Sequence, residues 1–180
     1  VINTSGYYTY LLSSLPGLQF EMKPPFSFNT FLETVSGSIS ANDVEVIKTS
    51  LDPAASAQNT SQAMLKKWRA FDNALRNELV KIRAARKHQD PDKYLRENEY
   101  SDPRITNLAM NAYKNPSILE SEKILDKEKW AALDELMVGH YYDLDSLIIY
   151  AQKLLILEKW ERIRTGDARA LTEKTLQATG

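Results

Sequence analysis

Met64, Leu65, Trp68, Phe71, Leu75, Leu79 and Ile82 recur every three or four positions. That spacing follows the 3.6-residue turn of a helix and conflicts with the two-residue pleat of a strand. It predicts a helix from about Thr60 to Lys87, roughly 42 Å long at ~1.5 Å per residue. A second long pattern, DLDSLIIYAQKLLILEKWERIRTG, puts Leu144, Leu147, Ile148, Ala151, Leu154 and Leu155 on one broad apolar face. Ile149 and Leu157 widen that face, which predicts a central helix with neighbours on more than one side. Asp143 opens it, and Arg162, Arg164 and Gly166 are expected to close it, cations suiting the negative end of the helix dipole. Residues 167 to 177 are expected to add a terminal helix.

The prolines and glycines mark where such segments begin and stop. Asp90–Pro91, Asp102–Pro103 and Asn115–Pro116 each set a capping residue before a proline suited to the first helical position. They predict helices from about 91, 103 and 116, the last running through Trp130 and Leu133 to a stop at Gly139. Ser27 and Ser40 are expected to cap two short helices carrying Phe31 and Val35, and Val44 and Ile47. Leu11, Leu12 and Leu15 favour a short helix over a strand for residues 7 to 15. The small, polar stretch DPAASAQNTS at 52 to 61 reads as a linker. The expected fold is all-α, a multi-helix bundle over 59–180 with a short-helix N-terminal section over 1–58, together one compact domain.

Composition narrows the function. Lys plus Arg number 23 against 24 Asp plus Glu, and 43% of the 180 residues are hydrophobic, a globular balance that argues against disorder and against a strongly basic nucleic-acid binder. The absence of cysteine excludes a disulfide scaffold, a thiolate metal site and a cysteine nucleophile, and suits a reducing cytoplasm. No apolar run approaches the ~20 residues that span a bilayer, and the first residues lack the basic start of a signal peptide. A cytoplasmic protein without membrane insertion is the expectation.

Chemistry-bearing patterns are sparse. His88, Asp90 and Asp92 crowd into HQDPD, but Asp90 is needed as a cap, and a zinc or di-iron site draws ligands from separate elements. His140 in GHYYD reads as a turn histidine. No P-loop, dinucleotide fingerprint or GxSxG elbow is present, so no catalytic residue, cofactor or metal is expected. Residues 62 to 88 carry eight basic side chains against Asp72 and Glu78, whereas 117 to 145 carry eight acids against three lysines. Two oppositely charged helices lying side by side explain this. The alternative uses Arg69, Arg76 and Arg83, spaced by seven and therefore on one stripe, to bind an acidic partner or nucleic acid. Tyr7, Tyr8 and Tyr10 are the other candidate contact residues, because tyrosine can pack its ring and keep its hydroxyl wet. A ligand pocket lined by Trp68, Trp130 or Trp160 ranks last.

Two stretches together, YYTYLLSSLPGLQFEMKPPFSFNTFLE and the Trp68 to Arg86 helix followed by DLDSLIIYAQKLLILEKWERI, resemble an uncharacterised bacterial family of small proteins encoded beside V-type ATPase genes. The resemblance runs over roughly residues 7 to 170, and its most specific motif is YYxYLxSSLPxLxF. The back half is also similar to the C-terminal part of the V/A-type ATPase central-stalk subunit called C in prokaryotes and d in eukaryotes. Asp143, Tyr150, Lys153, Glu158 and Arg162 stand in comparable places. That subunit is a helical, non-catalytic socket joining the rotor shaft to the membrane ring. The resemblance therefore implies a non-enzymatic component or assembly protein whose partners are rotary ATPase subunits.

Overall fold

A computed structural model describes residues 8–51, 62–98 and 100–178, with side chains to Gly166. Among the described residues there are seven α-helices and no strand: α1 (Thr9–Ser14), α2 (Phe28–Ser36), α3 (Ala41–Ser50), α4 (Ala63–Arg86), α5 (Pro103–Lys114), α6 (Ile118–Met137) and α7 (Leu144–Ala178). The all-α expectation holds. Tyr7 and the expected linker at 52 to 61 lie outside the described residues.

The chain divides into two compact units that do not follow a split after residue 58. One joins Val1–Asp52 to His140–Gly180, and the other is Pro53–Gly139. The last long helix thus belongs with the N-terminal section.

In the first unit α2 and α3 pack on each other and on α7. Ser27 and Ser40 cap α2 and α3 as expected, each accepting at 3.1 Å from the backbone N–H three residues on. Phe31, Val35 and Ile47 are fully buried, as are Leu147, Ile148, Leu154 and Leu157 of α7. Glu158 reaches from α7 to the start of α2, where its carboxylate accepts from the Phe28 N–H at 2.9 Å. A carboxylate there meets both an unpaired donor and the positive end of the helix dipole. Phe26 and Phe31 stack on Tyr150, with ring centroids 6.4 and 5.4 Å away. This pins the proline-rich connection to its own unit.

In the second unit α5 packs against both α4 and α6, and α4 meets α6. Ala74, Leu75, Ile105, Ala109, Ala112 and Leu125 form its core. The alanines of α5 let it lie close against its neighbours. Asp102 caps α5 ahead of Pro103 as expected, accepting from the Arg104 N–H at 2.8 Å. Gly139, at φ 91°, follows the end of α6 as the expected stop.

Three expected boundaries need correction. Asp90–Pro91 opens only one 3₁₀ turn, Pro91–Tyr94, because the chain beyond it is drawn along α4. Asn77 donates to the Arg96 carbonyl at 2.7 Å and accepts its N–H at 2.9 Å, and Asn98 donates to the Ala70 carbonyl at 2.9 Å. The helix expected from about 116 is α6, but it starts two residues later: the Asn115 side chain accepts from the Ser117 N–H at 2.9 Å, and Ser117 caps α6. Finally, Gly166 does not stop α7, which continues to Ala178. A glycine inside a helix weakens it by only ~1 kcal/mol and does not oblige it to end.

Candidate functional site

The start of α7 gathers the side chains with most chemistry. Asp143 caps the helix, its Oδ1 accepting from the Ser146 N–H at 3.0 Å and the Ser146 hydroxyl at 2.9 Å. Its Oδ2 lies 2.6 Å from His140 Nδ1. A carboxylate can only accept, so Nδ1 carries the proton. Burial alone would raise the Asp143 carboxyl, but the hydrogen bonds from His140 and Ser146 outweigh it and hold it below the usual range. Asp145 sits 3.5 Å from the same imidazole nitrogen, and its Oδ1 is buried without a hydrogen-bond partner. Burial, opposed by His140, pushes its carboxyl up.

His140, Asp143 and Asp145 bring donor atoms within 4.8 Å of one another. Two are carboxylates in a first helical turn, where the helix dipole favours anions. Capping and the His140 contact account for Asp143, so the group reads as a helix-start network. It is distinct from HQDPD, the metal pattern weighed in the sequence. There His88 adopts φ 52° at the end of α4, donating from its N–H to Ala85 while the Gln89 N–H returns to Ala84. These two bonds form a helix-ending Schellman motif.

Beside this network lies a tyrosine-rich surface. The Tyr8 N–H donates to the Tyr142 carbonyl, tying the residues before α1 to those before α7. The Tyr8 hydroxyl donates to the Asp43 carboxylate. Burial, then that hydrogen bond and the carboxylate's charge, push the Tyr8 phenol up to about 12. Tyr8 is therefore an anchor, and the rings left to solvent belong to its neighbours on the two joined segments: Tyr10 is 90% exposed, Tyr141 64% and Tyr142 43%. Tyr150, by contrast, is half-buried, donates to the Pro16 carbonyl at 3.0 Å and is pushed up to about 12 by burial.

The arginine stripe on α4 is unevenly presented. Arg83 is exposed, whereas Arg69 and Arg76 are half-buried. Arg76 donates to the Tyr94 carbonyl at 3.0 Å, so it helps hold the chain that runs along α4. The two oppositely charged segments do lie together, and one ion pair between them, of 2.7 Å, joins Lys129 of the acidic helix to Asp72 of the basic one. Trp68, Trp130 and Trp160 are all buried.

Sequence reasoning identified Tyr8 and Tyr10 but not the bond from Tyr8 to Tyr142, nor Asp145 beside His140. The only signal was DLD immediately after HYY, two acids in one first turn. Compared with known proteins, the chain matches no family model, no curated protein and no solved structure. Among the described residues no helix is long and apolar enough to cross a membrane.

Proposed function

We propose that this protein works through protein contacts, as a non-enzymatic component or assembly protein of a bacterial V-type ATPase resembling a reduced central-stalk subunit. The observation that supports a contact role is the exposure of Tyr10, Tyr141 and Tyr142 on two segments that the Tyr8 to Tyr142 backbone bond ties together, with the Tyr8 hydroxyl anchored on Asp43. Rigid, amphipathic rings of this kind supply much of the binding energy where proteins meet. The rotary ATPase as partner rests on the sequence resemblance. In this reading the protein is cytoplasmic, peripheral to a membrane complex.

The test is purification of the tagged protein from its native host at low and moderate salt, with co-purifying chains identified by mass spectrometry. Rotary ATPase subunits should be retained at both salts. Tyr10→Ser with Tyr141→Ser should leave the helical circular dichroism unchanged and weaken retention at least tenfold, the size of a typical interface anchor. Absence of those subunits at both salts would remove the partner assignment. Undiminished retention by the double variant would remove the surface.

A further inference from the structure

An open cleft of about 480 Å³ lies within the second unit, between α5 and α6. One wall is α6, which presents Glu128 and Glu135 with Ala131 and Ala132 between them. The two glutamates are seven residues apart, so they share a helix face at an axial separation of ~10 Å. The alanines leave room over the helix surface between the two carboxylates. The opposite wall is α5, where Asn107 and Asn111, four residues apart and exposed, present amide groups to the cleft. Half-buried Phe71 and Leu108 form part of the apolar lining.

Charge in the cleft is one-sided. Arg104, the one cation among its lining residues, is bound to Asp102 by two contacts of 2.8 and 2.9 Å and also feels the charge of Glu135, so the carboxylates of Asp102, Glu128 and Glu135 outnumber it and the cleft is net negative. Two anions at a fixed separation, an apolar strip between them and amide oxygens opposite suit a linear ligand charged positively at both ends. We propose that this cleft binds aliphatic α,ω-diamines and polyamines, with one ammonium at Glu128, the other at Glu135 and the methylene chain over Ala131, Ala132 and Leu108. Each ammonium gains a charge-assisted hydrogen bond, and the chain sheds water from the apolar strip. Both ends engage at once only if the chain spans the gap, so affinity should depend on length rather than on charge alone. This site is independent of the tyrosine surface.

Isothermal titration calorimetry on the full chain tests this with 1,3-diaminopropane, 1,8-diaminooctane, spermidine and the monoamine octylamine. The long diamine and spermidine should bind at least tenfold more tightly than either the short diamine or the monoamine. Glu128→Gln and Glu135→Gln should each abolish that preference, and Glu120→Gln, outside the cleft on the same helix, should preserve it. All three are exposed substitutions, and circular dichroism verifies the fold. Dissociation constants weaker than about 1 mM for every diamine would overturn the proposal. So would affinities that ignore chain length, or that fall equally with Glu120→Gln, since either pattern marks general attraction to an acidic surface.

Discussion

Asp143 and Asp145 sit in one helical turn beside one imidazole, and their carboxyls move in opposite directions. Asp143 is depressed by its hydrogen bonds, so it contributes stability above the ordinary carboxylate pKa of 3.8, lost as pH falls through its folded value. Asp145 is raised by burial, so its contribution is full in acid and is lost as pH rises through its folded value. Asn caps a helix about as well as Asp, which lets amide variants isolate the charge. Asp143→Asn should cost about 1 kcal/mol at neutral pH, the loss narrowing below about pH 4. Asp145→Asn should be at least as stable as the parent at neutral pH and lose that advantage in acid. Urea unfolding from about pH 3 to 7 checks both, and parallel pH profiles would refute the opposed shifts. His88 makes a different residue-scale prediction. Its φ of 52° costs a side chain about 1 kcal/mol relative to glycine, so His88→Gly should raise the unfolding free energy by about that amount, measured by urea unfolding.

The helices were legible wherever their signals are local. The α4 periodicity, the Ser27, Ser40 and Asp102 caps and the Gly139 stop each act within a few residues, and each is where the sequence puts it. Boundaries failed where a longer-range contact competes with a local preference. The 3₁₀ turn after Asp90 stays short because Asn77 and Arg96 hold the following chain on α4. Gly166 fails as a stop because helix continuation beyond it outweighs one glycine's modest cost. A Cβ at that position would meet nothing within 4 Å. Gly166→Ala should therefore strengthen α7 by about 0.5–1 kcal/mol and raise the melting temperature by a few degrees, measured by circular dichroism. A destabilised variant would show that the helix ends near Gly166 after all. The candidate surface was half legible. Tyr8 and Tyr10 stand out by composition, but a single backbone bond from Tyr8 to Tyr142, between opposite ends of the chain, leaves no periodic trace.

At the scale of the whole molecule, one unit is continuous in sequence and the other is made from both ends. The continuous unit contains α4, α5 and α6 with its own core, and most of its contacts join neighbours along the chain. A fragment of residues 53 to 139 should fold alone and melt cooperatively by circular dichroism. A fragment of residues 1 to 52 should remain largely unfolded, because α2 and α3 bury Phe31, Val35 and Ile47 in a unit completed by α7. A helical, cooperative 1 to 52 fragment would contradict that dependence. The same split could not be read from the linker-like composition of residues 52 to 61, because composition marks a break in the chain without saying which later helix returns across it.

The split unit also sets a timetable for synthesis. About 90 residues separate the end of α3 from the start of α7. At ~5–20 residues per second a ribosome needs roughly 5–20 s to make them. During that interval the intervening helices can form their core, while α2 and α3 wait with the apolar faces that α7 covers still exposed to water. A newborn chain would therefore be most vulnerable to aggregation and most open to chaperones before α7 is made, and this unit would become safe only when α7 emerges.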